Sequence, residues 1–109
     1  LQWMADKLAG LRVFDDAQGV MNLSVQETGS DIMAVSQFTL LASTRKGRRP
    51  SYIRAAAPAE SAPLYERFCL MLEERLGRTV ARGRFGADMQ ISLTNDGPVT
   101  IVIDSRLRE

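Results

Sequence analysis

Apolar positions along the chain follow two periods, and the change from one to the other marks out its elements. Leu1, Met4, Ala5, Leu8 and Leu11 recur at spacings of three and four, which predicts an amphipathic helix stopping near Gly10. "RVF" reads as a short strand, "DDAQG" as a turn, and "MNLSV" as a second strand by the alternation of Met21, Leu23 and Val25. After the turn "ETGSD" comes "IMAVSQFTLL", long and almost continuously apolar, the pattern of a strand buried on both faces. Residues 42–57 hold Gly47, Pro50 and a basic cluster and show neither period, so a long loop is predicted there. Between Pro58 and Leu76 the period turns helical again. Leu64, Phe68, Met71 and Leu72 share a face that Tyr65, Cys69 and Leu76 widen, and Gly77 closes the helix. Pro63 belongs in its first turns or marks a kink. The remainder predicts strands "TVARGRF", "MQISL" and "VTIVIDS", with the turn "NDGP" between the last two. The sum is an α+β fold, one domain over 1–109, with a mostly antiparallel sheet and two helices.

Composition changes this picture little. Of the 109 residues, 45% are apolar and 25% charged, which excludes a disordered or fibrous chain, and no apolar run approaches the roughly 18 residues of a membrane span. The single cysteine, Cys69, permits no internal disulfide and suits a reducing compartment. A net charge of +1 is too small to predict nucleic-acid binding from the global field. Its distribution says more, since Arg45, Lys46, Arg48 and Arg49 lie together in "TRKGRR", with Arg54 close behind. Such a patch either contacts a few phosphates or is a solvated loop.

Candidate chemistry is narrowed by what is missing. The absence of histidine excludes Ser-His-Asp and Cys-His arrangements and removes the commonest metal ligand. Cys69, on an apolar helix face, reads as a structural thiol. The carboxylates are scattered, and no "GxxxxGK" phosphate loop occurs. Two stretches remain that set polar groups inside apolar strands. In "VSQFTL", Ser36, Gln37 and Thr39 need partners if buried; in "NDGPVT", Thr100 follows a turn. Only about 5–6% of X–Pro bonds in folded proteins are cis, so spacing alone favours a trans Gly97–Pro98 bond.

"SQFTL" followed by "NDGPVT", with "KGRRPSY", "PLYERF" and "GRFGADM" between them, resembles the D-aminoacyl-tRNA deacylases across essentially the whole chain. That resemblance implies a barrel-like sheet packed with two helices, and a cytoplasmic homodimer. It implies hydrolysis of the ester of D-aminoacyl-tRNA, and of glycyl-tRNA mischarged on the alanine tRNA, with no cofactor and no residue assigned to a metal. It further implies a cis Gly97–Pro98 bond reaching into the partner subunit's site, where the backbone carbonyls reject an L side chain. Ser36, Gln37, Phe38 and Thr39 would line the site, with N–H groups near Gln37 and Phe38 for the oxyanion and Thr100 beside the Gly–Pro element. Phe85, Gly86, Ala87 and Met89 would receive the terminal adenosine, and Arg45, Lys46, Arg48 and Arg49 the tRNA backbone. The substrate's ribose 2'-hydroxyl would help activate water, which answers the missing histidine. Family members carry further strands ahead of the first helix, absent from this sequence, whose loss would expose a sheet edge. Two alternatives stand beside this expectation: a related deacylase with a trans Gly–Pro bond that clears L-alanine from mischarged tRNA, and a non-catalytic RNA-binding or dimerisation module.

Overall fold

In the computed structural model, which describes residues 1–109, both long helices fall where the 3.6-residue period places them. Helix α1 spans Gln2–Gly10. The strands β1 (Arg12–Asp15) and β2 (Met21–Ser24) form an antiparallel hairpin. Asp16 makes its turn. The carboxylate accepts hydrogen bonds from the N–H groups of Gln18 (2.9 Å) and Val20 (3.0 Å) and from Asn22 Nδ2 (3.2 Å). Gly19 supplies the left-handed φ of 75° that this closure requires.

Val25 is not the end of a strand but the start of a one-turn helix, α2 (Val25–Thr28). The buried Ser24 accepts from the N–H of Glu27, and the Glu27 carboxylate accepts from the N–H of Ser24, both at 3.2 Å. This reciprocal cap is the S-x-x-E pattern of a helix start, and it competes successfully with strand propensity.

Next come β3 (Met33–Ala34), a 3-10 turn at Phe38–Leu41, α3 (Pro58–Leu76) and β4 (Ala81–Arg82). Pro58 opens α3, where a missing N–H costs nothing, and Gly77 ends it at φ 71°. Pro63 lies in the second turn of a helix that continues through it. β3 and β4 pair in parallel, Met33 with Ala81 and Ala34 with Arg82. A parallel pair needs a crossover, and α3 is that crossover. The expected mostly antiparallel sheet is thus corrected to one antiparallel hairpin and one short parallel pair, with no closed barrel.

The core lies between the helices. Ala5 and Ala9 of α1 are buried, as are Cys69 and Leu72 of α3, Val25 and Val80. Small residues on α1 let α3 approach closely, and Arg75 of α3 pairs with Asp6 of α1 at the rim. No helix is long and apolar enough to cross a membrane.

Four predicted strands are shortened or unpaired. "IMAVSQFTLL" keeps only Met33–Ala34 as strand, and "TVARGRF" only Ala81–Arg82. Residues 90–103, which hold most of "MQISL" and "VTIVIDS", make no hydrogen bond with the rest of the chain. A strand has no internal hydrogen bonds and forms only against a neighbouring edge. This segment pairs with neither two-stranded unit. Ile91, Leu93, Val99, Ile101 and Val102 are accordingly exposed. The chain presents 8865 Å² of surface, about half as much again as the roughly 6,000 Å² of a compact 12.1 kDa monomer. Its radius of gyration is 15.8 Å against about 13 Å for a compact domain of this length.

The Gly97–Pro98 bond is trans, since the chain contains no cis peptide, which corrects the cis bond that the resemblance implied. Trans is favoured for X–Pro by about 0.5–1 kcal/mol, and in a segment without hydrogen bonds nothing opposes that preference.

Asp16 yields a pH prediction. The Val20 N–H is the main cause holding its carboxyl below the ordinary aspartate range, with those of Gln18 and Asn22 adding to it. A depressed folded-state pKa contributes stability above the unfolded value of about 3.9, lost as pH falls through the folded one. NMR titration should therefore give an Asp16 midpoint below about 3.9, with the β1–β2 hairpin loosening as that carboxyl protonates. A midpoint above it would contradict the turn described here.

Candidate active site

Two of the four groups of candidate residues meet at the end of the parallel pair. The Gly83 N–H donates to the Ala34 carbonyl at 2.9 Å, and there the two strands part. Ala34 leads within two residues to Ser36, and Gly83 within two to Phe85. Both candidate loops therefore begin at one backbone junction.

In the first loop Ser36 is half-buried and its hydroxyl has no hydrogen-bond partner. Gln37 Nε2 donates to Thr39 Oγ1 at 2.7 Å, and the Ala42 N–H to the Thr39 carbonyl at 3.0 Å. These bonds hold the 3-10 turn, whose first N–H groups have no acceptor within it. Phe38 is exposed and packs edge-to-face on Tyr52 with ring centroids 5.0 Å apart.

In the second loop the Ala87 N–H donates to the Arg84 carbonyl at 3.1 Å, and Gly86 takes a φ of 73°. That φ is a conformation L side chains rarely adopt, which gives the glycine a conformational reason. Phe85 and Met89 are half-buried, and Met89 Sδ accepts from the Arg84 N–H at 3.1 Å. The thioether lies over Gly83. A Cβ built there would meet Met89 Sδ at 3.1 Å and Val35 Cγ1 at 3.3 Å. Val35 of the first loop and Met89 of the second thus close on the same glycine.

The basic cluster sits apart from this junction. Ser43 and Ser51 exchange backbone hydrogen bonds at 2.8 and 2.9 Å, closing a loop that carries Arg45, Lys46, Arg48 and Arg49. All four are exposed and none is in an ion pair. The fourth candidate group, Gly97, Pro98 and Thr100, is exposed on the segment without hydrogen bonds and is joined to neither loop. Nor does either of two surface depressions of about 390 Å³ touch any candidate residue.

Tyr65 was missed as more than a core residue. Its hydroxyl lies 2.8 Å from the Ala34 carbonyl oxygen and 2.9 Å from that of Gly83, and its ring centroid is 6.0 Å from that of Phe85. Burial first, then the neighbouring Cys69, pushes its phenol above the ordinary tyrosine value, so the hydroxyl stays protonated as a donor. The available signal was its type: a tyrosine on an apolar helix face still needs a partner for its hydroxyl.

Residues 1–104 match the family model described as D-Tyr-tRNA(Tyr) deacylase. The D-aminoacyl-tRNA deacylase of Bacteroides thetaiotaomicron is 55% identical over 109 residues, covering this whole chain and 73% of the relative. That of Akkermansia muciniphila is 59% identical over the same spans. Among solved structures, a c-Myc DNA Unwinding Element Binding Protein superimposes with a TM-score of 0.83 at 36% identity, over 95% of this chain and 70% of that one. The class so defined is a hydrolase on a small α+β fold. The chain belongs to the D-Tyr-tRNA(Tyr) deacylase family.

The close approach at Gly83 can be tested directly. Gly83→Val should displace Met89 or Val35 and cost about 1–3 kcal/mol in urea unfolding. Unchanged stability would mean that the two loops do not close on this residue.

Proposed function

We propose that the chain hydrolyses the ester of D-aminoacyl-tRNA and that the junction of β3 and β4 is its reaction centre. The observation that carries this is the common origin of both loops, with Gly83 bonded to Ala34 at 2.9 Å. A site with no histidine must work by position, and a fixed junction supplies position. The loop of Ser36, Gln37, Phe38 and Thr39 holds the aminoacyl carbonyl, with the N–H groups of Gln37 and Phe38 as donors to the oxyanion. Water adds to the ester carbon, and the ribose 2'-hydroxyl assists removal of its proton. The C–O bond to the ribose then breaks, and the proton ends on the departing oxygen. Phe85, Gly86, Ala87 and Met89 receive the terminal adenosine, the two apolar side chains against the base. Arg45, Lys46, Arg48 and Arg49 meet the tRNA backbone, a role supported by their exposure and lack of ion pairs.

The Gly97–Pro98 element and Thr100 enter this reading through a second copy of the chain. Their segment's exposed apolar side chains and the chain's excess surface support such an assembly. In it, Gly97–Pro98 of one protomer walls the site of its partner against L side chains. Glycine has no side chain to reject, so glycyl-tRNA is a further substrate. The trans bond favours a second reading, relaxed chirality with clearance of L-alanine from mischarged tRNA.

Purified protein should hydrolyse D-tyrosyl-tRNA well ahead of L-tyrosyl-tRNA. Loss of that preference together with turnover of L-alanyl-tRNA would select the second reading, and no hydrolysis of any of these would sink both. Gly97→Val should abolish turnover with the fold kept. Nothing in the chain lies within 4 Å of a Cβ at Gly97, so bulk there acts through its φ of 58° and through whatever faces it across the interface.

A further inference from the structure

We propose that Tyr65 is a positioning residue for this deacylation, its hydroxyl setting the spacing between the carbonyl-holding loop and the adenosine loop. This rests on the functional reading just given. The parallel pair is only two residues long on each strand, and past the Gly83–Ala34 bond no backbone hydrogen bond joins the two loops. Beyond the packing of Val35 and Met89 on Gly83, the polar group common to them is the Tyr65 hydroxyl, 2.8 Å from one carbonyl oxygen and 2.9 Å from the other. A phenol has one proton, so the two carbonyls share it, and each is held at a distance set by the other.

The hydroxyl is itself well placed to be a fixed point. It extends from the long helix α3, four residues before the buried Cys69 and seven before the buried Leu72. Its ring also meets Phe85, so the same side chain touches the adenosine loop twice, through the Gly83 carbonyl and through a tilted ring pair. A shift of either loop relative to the other therefore breaks a contact with Tyr65. Small displacements of this kind are costly where the protein contributes mainly geometry.

Tyr65→Phe keeps the ring and its contact with Phe85 but removes the shared proton. At a temperature well below unfolding, kcat for D-tyrosyl-tRNA should fall about 10- to 100-fold, and KM should rise because the adenosine loop is released as well. A hydroxyl of merely structural importance would lower the melting temperature and leave both constants within about twofold of the native enzyme, and that result would overturn the proposal. If Tyr65→Phe does not fold, 3,5-difluorotyrosine at position 65 keeps ring and hydroxyl but ionises at lower pH than tyrosine. Its rate should then decline with rising pH from a lower pH than the native rate does, since a phenolate cannot donate to carbonyls. Coincident pH profiles would overturn the proposal equally. Failure of the native protein to hydrolyse any aminoacyl-tRNA would instead count against the functional reading itself.

Discussion

The structure depends on α3 serving as the crossover between two parallel strands. Cys69 and Leu72, on its inner face, are buried, and Leu72 shares a core with Ala5 and Val80. Tyr65, nearer its start, reaches the end of the β3–β4 pair. Arg82 of β4 pairs back with Glu66 at 2.7 Å and with Glu73 of the same helix. The Glu73 carboxylate is the main cause raising that guanidinium's pKa. Such exposed pairs add little stability, but they fix the direction in which β4 leaves the core. Two strands of two residues could not hold a register alone. They hold it here because one helix is packed against both.

That dependence explains what the sequence made legible. A helix satisfies its own backbone, so the apolar spacing of Leu64, Phe68, Met71 and Leu72 with Pro58 and Gly77 at the ends was enough to bound α3. The β1–β2 hairpin was legible for a similar reason, because Asp16 and Gly19 close its turn locally. Strands that need a distant edge were not. Alternation marks "MQISL" and "VTIVIDS" as β-prone but does not say which edge they meet, and within this chain they meet none. "VSQFTL" illustrates the opposite case. Ser36, Gln37 and Thr39 looked like polar interruptions of a core strand, and the strand ends before them, at Ala34. The interruption was itself the loop.

The candidate site was legible as a set of residues and not as an arrangement. No spacing in sequence joins Ala34 to Gly83, and the hydroxyl touching both carbonyls belongs to a residue whose period made it look apolar. The isomer of Gly97–Pro98 is likewise a matter of what surrounds the bond, and the segment here is open. The proposed site would draw on backbone groups, hydroxyls and apolar contacts, in a chain without histidine. Such a site relies on the rigidity of what carries it.

That both loops act on one ligand can be read from amide chemical shifts as a non-hydrolysable 3'-amino analogue of D-tyrosyl-adenosine is added to labelled protein. The amides of Gln37 and Phe38 should move together with those of Phe85 to Met89, with a single affinity. Shifts confined to one loop, or lying away from the β3–β4 junction, would contradict a reaction centre built there.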